Sequence, residues 1–164
     1  MFEFSRWSRF PLTLNIVAWT LRFINNCKPQ STKYSGPLSY DELTKAKIKF
    51  HSCVQREAYP LEIRALSQGK QFNKGSPLSK LDPFLDSDGL LRIKGRLEYS
   101  DLTYESKHPI ILPSTHIVKV LVRFQHRFLK HAGVSTLVST LRNCYWIAQL
   151  RKNSQGCLQG MSAV

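Results

Sequence analysis

Gln125-His126-Arg127-Phe128-Leu129-Lys130-His131-Ala132-Gly133, followed by Thr136-Leu137-Val138-Ser139-Thr140-Leu141-Arg142-Asn143-Cys144-Tyr145-Trp146, is the most informative stretch of the chain. It sets two histidines five residues apart, between an apolar helix pattern and a short helix that closes on an aromatic pair. Cys157 lies further on. Neutral imidazoles at close spacing, followed by thiols, are how a small domain holds a tetrahedral zinc ion. On an uninterrupted helix, five residues at about 100° each would set the two rings about 140° apart. The rings converge only if the helix stops between them, and Ala132-Gly133 supplies a stop. His126, His131 and Cys157 are therefore the candidate metal ligands.

Working upstream, Ile117, Val120, Leu121, Phe124 and Phe128 recur on one face of the helix that carries His126, and Ser114 or Thr115 can cap its start. Before it, Pro109-Ile110-Ile111-Leu112-Pro113 reads as a short strand whose prolines suit an edge or the strand ends. Phe84-Leu85, the turn Asp86-Ser87-Asp88-Gly89 and Leu90 to Leu97 read as a hairpin. The two aspartates are turn residues, since a calcium loop needs more oxygen ligands and a closing Glu.

The first half reads as helical. Leu12, Ile16, Trp19 and Phe23 recur at helical spacing. Asn15 interrupts the apolar run and Arg22 follows closely, so an amphipathic helix is expected there rather than a secretory signal. An exposed stripe of this kind invites self-association or adsorption to a membrane surface. Ser39-Tyr40-Asp41-Glu42 has the capping-box pattern and opens a helix that Pro60 should end, with a short helical turn from Leu61 to Ser67. The expected fold is α+β and mainly helical. Its zones are an amphipathic helix and linker (1–37), a helical linker region (38–80), a β-hairpin region (81–113) and a helical zinc-binding-like module (114–164).

Composition narrows the function classes. The chain has 164 residues, with 24 Lys plus Arg against 11 Asp plus Glu, a net charge of +13. A charge of that size points to polyanionic partners, nucleic acid first. The four cysteines are scattered, which fits a reducing compartment better than a disulfide scaffold. No stretch reaches the ~18 apolar residues a membrane span needs. An intracellular, including nuclear, location is expected.

The pattern His-x4-His-Ala-Gly, the Thr-Leu…Leu-Arg…Tyr-Trp helix and the late cysteine resemble the zinc-binding module at the start of retroviral-type integrases. The segments Pro83 to Leu97 and His108 to Pro113 look like the stretch upstream of that module in Pao/BEL-type LTR-retrotransposon polyproteins. Trp19-Thr20-Leu21-Arg22-Phe23-Ile24 and Val54 to Pro60 resemble the linker between the RNase H and integrase parts of the same polyproteins. The resemblance spans about residues 4 to 150. It implies a polyprotein fragment whose module holds zinc, engages DNA ends and helps an integrase multimerise. One departure stands out. The family places Cys-x-x-Cys after the Tyr-Trp helix, and here Cys157-Leu158-Gln159-Gly160 has glycine at the second position. The zinc ligand set is thus incomplete, with three nameable ligands where a structural site takes four.

The family's strand-transfer core gathers three carboxylates around two metal ions. Every Asp and Glu of this chain precedes His116, the last being Glu105, so no catalytic residue and no enzymatic activity is expected. Arg123, Arg127, Lys130 and Arg142 are the candidate contacts for weak, non-specific DNA binding. Arg92, Lys94 and Arg96 alternate along a strand and could extend that surface, or could simply be a solvated polar face. His51 is expected to be exposed, His108 and His116 structural, Cys144 packed inside the last helix, and Tyr145 and Trp146 core residues. Two other readings fit the same residues: a helix-mediated protein-interaction module, and a remnant of a decayed element without selected function.

Overall fold

The computed structural model describes residues 9–70, 75–94, 101–148 and 150–151. Among them six helices surround a four-stranded sheet. In chain order these are α1 (Phe10–Asn26), α2 (Tyr40–Ala58), α3 (Pro60–Ser67), β1 (Pro83–Leu85), β2 (Leu91–Ile93), α4 (Tyr104–Lys107), β3 (Ile110–Leu112), α5 (His116–Phe128), α6 (Val134–Arg142) and β4 (Tyr145–Ile147). The α+β, mainly helical expectation holds.

α2 begins as its sequence dictates. Ser39 Oγ accepts from the Glu42 backbone N–H, and Glu42 Oε2 accepts from the Ser39 N–H at 2.8 Å, closing the capping box. The same carboxylate receives Arg22 of α1, Nε to Oε1 at 2.7 Å and Nη2 to Oε2 at 2.6 Å. The guanidinium also donates to the carbonyls of Gly36 and Pro37, which ties the α1–α2 linker down. Arg22 and the Ser39 N–H together hold the Glu42 carboxyl down at about 2. α2 ends at Ala58 because Pro60 follows. Pro60 then opens α3, where its missing N–H costs nothing.

The strands run in sheet order β1-β2-β3-β4. β1 and β2 form the expected hairpin, Phe84 opposite Arg92. Asp86 Oδ1 accepts from the N–H groups of Asp88 and Leu90, and Gly89 takes the positive φ (+71) that the turn needs. β3 pairs antiparallel with β2 through Arg92 and Ile110. It is an inner, fully buried strand, so its flanking prolines mark strand ends rather than a sheet edge.

Several expectations need correction in the last third of the chain. The second helix of the pair ends at Arg142, and Tyr145-Trp146-Ile147 form β4, parallel to β3. Parallel neighbours require a crossover, and the α5–α6 pair is that crossover. Cys144 therefore lies in a turn, half-buried, and not inside a helix. Thr115 precedes α5 but makes no side-chain cap bond. Phe128 leaves the apolar face of α5 and is exposed.

Alternation along the strands splits the apolar residues between the two faces of the sheet. Leu90, Ile110, Leu112, Tyr145 and Ile147 meet Phe10, Phe50, Val54 and the inner faces of α5 and α6 in the larger core. Leu91, Ile111, Ile93 and Trp146 meet Leu78 and α3 residues in a smaller one. The four zones thus share one sheet and its two cores.

Gln55, fully buried on α2, joins the layers. Its Nε2 donates to the carbonyls of Leu91 (2.8 Å) and Ile111 (2.7 Å), and its Oε1 accepts from the Leu91 N–H (2.8 Å). One amide thereby satisfies three backbone groups on the two inner strands. Gln55→Leu keeps the volume and strands those groups. Each unsatisfied buried group costs about 1–3 kcal/mol, so the variant should lose about 3 kcal/mol or more in urea unfolding. A loss below about 0.5 kcal/mol would show that the bridge does not hold the sheet.

Candidate metal centre

α5 ends at Phe128, before the second histidine. Lys130 and His131 then both adopt left-handed conformations, with φ of +51 and +62. The His131 N–H returns to the His126 carbonyl at 3.0 Å, the Lys130 N–H to Arg127 and the Ala132 N–H to Leu129, so the last carbonyls of the helix are satisfied. The reversal therefore comes from Lys130 and His131, not from Ala132-Gly133. Gly133 is extended (φ −58, ψ 159) and only introduces α6. Two consecutive left-handed non-glycine residues cost roughly 1–2 kcal/mol each.

The turn brings the imidazoles together. His131 Nδ1 lies 3.1 Å from His126 Nε2, and the rings meet edge to face with centroids 4.8 Å apart. His131 is exposed, whereas His126 is buried and its Nδ1 has no partner. Facing nitrogens at this distance cannot both carry a proton. Burial, and then the neighbouring His131 ring, push the His126 pKa down. Two nitrogens bound to one tetrahedral zinc at 2.0–2.1 Å stand about 3.3 Å apart, so the pair fits two corners of such a site. Among the described residues no group of three His, Cys, Asp or Glu side chains converges on a common point. Cys157 lies outside the described residues. Cys144 points elsewhere, its thiol 3.9 Å from Glu105 Oε2, and burial foremost raises its pKa.

The candidate phosphate contacts divide. Arg123, Arg127, Lys130 and Arg142 are all exposed. With His116 and Lys119 the first three follow the solvent-facing side of α5 and its C-terminal turn, on the flank of the histidine pair. Arg92 does not join them. It is buried, its Nε paired with Asp86 Oδ2, its Nη1 on the His108 carbonyl at 2.8 Å, and its guanidinium over the Tyr104 ring. The strand face it shares with Leu90 is a core face. Lys94 is exposed beyond β2, and Arg96 lies outside the described residues. His108 is structural as expected, its ring between Phe84 and Tyr104.

His51 is the residue that the sequence reading missed. It is buried, not exposed, against the Tyr145 ring at 5.3 Å, and its Nε2 has no partner. The signal was present. His51 and Gln55 are one helical turn apart, beside the inward-facing Phe50 and Val54. Burial first, then the charges of Lys47 and Arg92, pull its pKa down to about 3.

No family model, no curated protein and no solved structure matches the chain.

The depressed His51 pKa has a defined sign. Unfolded, the ring binds a proton near pH 6.5; folded, it stays neutral to about 3. The stability it contributes is fully present above 6.5 and is lost as pH falls towards 3. Between pH 7 and pH 5 the loss from His51 alone should be about 2 kcal/mol. Denaturant midpoints at both pH values should show it, and His51→Phe should narrow the gap. An equal gap in the variant would place the acid sensitivity elsewhere.

Proposed function

We propose that this chain is the linker and an incomplete integrase-type zinc-binding-like module of a retrotransposon polyprotein, a non-catalytic unit that takes a divalent metal weakly and binds nucleic acid without sequence preference. The observation that carries the reading is the 3.1 Å approach of His126 Nε2 and His131 Nδ1, held by two left-handed residues. Strain at a site is a reason to look for function there, since packing alone could use an ordinary helix cap. His126 and His131 would supply two ligands, Cys157 a third and water the fourth. The bound ion would act structurally, fixing the turn between α5 and α6. A ligating histidine normally donates its other ring N–H to an acceptor, and His126 Nδ1 has none, so a weak site is expected.

Zinc titrated into the full chain should raise the thermal midpoint and shift the imidazole resonances of both residues, with an affinity well below that of four-ligand sites and falling at acid pH as the ligands take up protons. His131→Gln, at an exposed position, should abolish the response and leave the fold intact. Unchanged resonances at stoichiometric zinc would refute the metal reading.

The nucleic-acid part rests on the exposed cations of α5 and on the absence of any acidic residue after Glu105. Phosphate contacts release counterions, so binding should weaken steeply with salt, with a dissociation constant on the order of 10⁻⁴ to 10⁻⁶ M at physiological ionic strength. Replacing Arg123, Arg127 and Lys130 by Gln should weaken binding to every sequence alike and reduce the log–log salt slope by about 3. A flat salt titration, or a roughly hundredfold preference for one sequence, would overturn the electrostatic account.

A further inference from the structure

α1 is apolar on two faces. Phe10, Thr13, Ala18 and Arg22 turn inward against α2 and α5. On the opposite side Leu12, Ile16, Trp19 and Phe23 stand 55, 45, 50 and 69% exposed. The steps of four, three and four residues are those of a coiled-coil seam, a strip that one further helix covers. The strip is also uncharged. Arg22 is the only ionisable side chain on α1; it is buried and paired with Glu42, and its guanidinium lies over one face of the Trp19 ring, 4.6 Å from the centroid.

We infer that this strip is an interface with a second copy of the chain, packed antiparallel about a twofold axis that passes between Val17 and Ala18. The residue order carries the register. The four side chains are symmetric about that midpoint, so an antiparallel copy sets each Phe23 against the partner's Leu12 and each Trp19 against the partner's Ile16. Both contacts match a large ring with an aliphatic chain, which fills the seam evenly. Residue i meets j and j meets i, as a twofold interface demands. A parallel pairing would stack Trp19 on itself and Phe23 on itself, and would bring like ends of two strongly basic chains together.

The size fits a weak dimer. Two half-exposed aromatics and two half-exposed aliphatics offer about 450 Å² per copy, so the pair would bury about 900 Å², within the range of weak, transient interfaces. A membrane surface is the poorer occupant. Lipid-seeking helices carry Lys or Arg beside a broad apolar face, and α1 has a narrow seam and no free cation. The inference does not depend on zinc or nucleic acid.

Sedimentation equilibrium of the full chain, metal-free and from about 1 to 500 μM, should reveal a reversible dimer. Raising salt should strengthen it, because screening relieves repulsion between two chains of net charge +13. Leu12→Glu and Phe23→Lys should each give monomers with unchanged circular dichroism, the positions being exposed. The double variant should dimerise again, since the register sets each new Glu against the partner's new Lys. A monomer at all concentrations, or a dimer indifferent to both single changes, would overturn the interface. A double variant that stays monomeric would overturn the antiparallel register. A chain that remains monomeric, yet shows a Trp19 blue shift on phosphatidylserine vesicles, would assign the strip to lipid instead.

Discussion

The sheet depends on one buried amide. β2 and β3 are only three residues long, and their register has Arg92 opposite Ile110. Strands this short hold few ladder bonds of their own. Gln55 reaches from α2 to the Leu91 N–H and to the carbonyls of Leu91 and Ile111. A buried backbone group without a partner is costly, so the amide both binds the strands and sets where α2 must lie. Phe50 and Val54 then enter the larger core, and α1 follows α2 through Phe10 and Arg22.

The same constraint shapes the histidine turn. β3 and β4 are parallel, so the chain between them must travel out and return. α5 and α6 make that journey, and His126 and His131 sit where it reverses. Buried faces on both helices, Ile117 to Val122 and Leu137 to Leu141, anchor the crossover to the sheet. An anchored crossover can sustain two left-handed residues in a row, because packing at both ends leaves the reversal few alternatives.

Charge is sorted by depth. Arg22 and Arg92 lie inside, each bound to a carboxylate and to backbone carbonyls, and both brace loops: the α1–α2 linker and the segment before β3. The cations of α5 remain in solvent. A strongly positive chain thus keeps its core pairs neutral and leaves other cations exposed on several elements, Lys45, Lys49 and Arg56 on α2 as well as Arg123 and Arg127 on α5. The buried imidazoles of His51 and His126 go the other way, neutral and each with one unpartnered nitrogen. They leave the fold sensitive to acid.

Local chemistry was legible in the sequence. The capping box of Ser39 and Glu42, the stop at Pro60, the Asp86–Gly89 turn and the apolar stripe of α1 all follow from residues within one turn of each other. So did the requirement that a helix end before His131, since 3.6 residues per turn leaves no other way for the rings to meet. What lay beyond reach depended on partners distant in the chain. Tyr145-Trp146-Ile147 could close a helix or form a strand, and only pairing with Ile110-Ile111-Leu112 chooses. Arg92 looked like a surface cation until Asp86, His108 and Tyr104 closed over it. His51 looked polar and therefore exposed, because composition cannot tell that a sheet will cover that face of α2. By itself the sequence determined α1, α2, α3 and α5, the Asp86–Gly89 turn and the spacing of the two histidines, all set by short-range sterics and hydrogen bonding. Which polar side chains are buried, how the strands pair and how close the imidazoles come were decided by the tertiary structure, because burial and pairing energies exist only once distant segments have met.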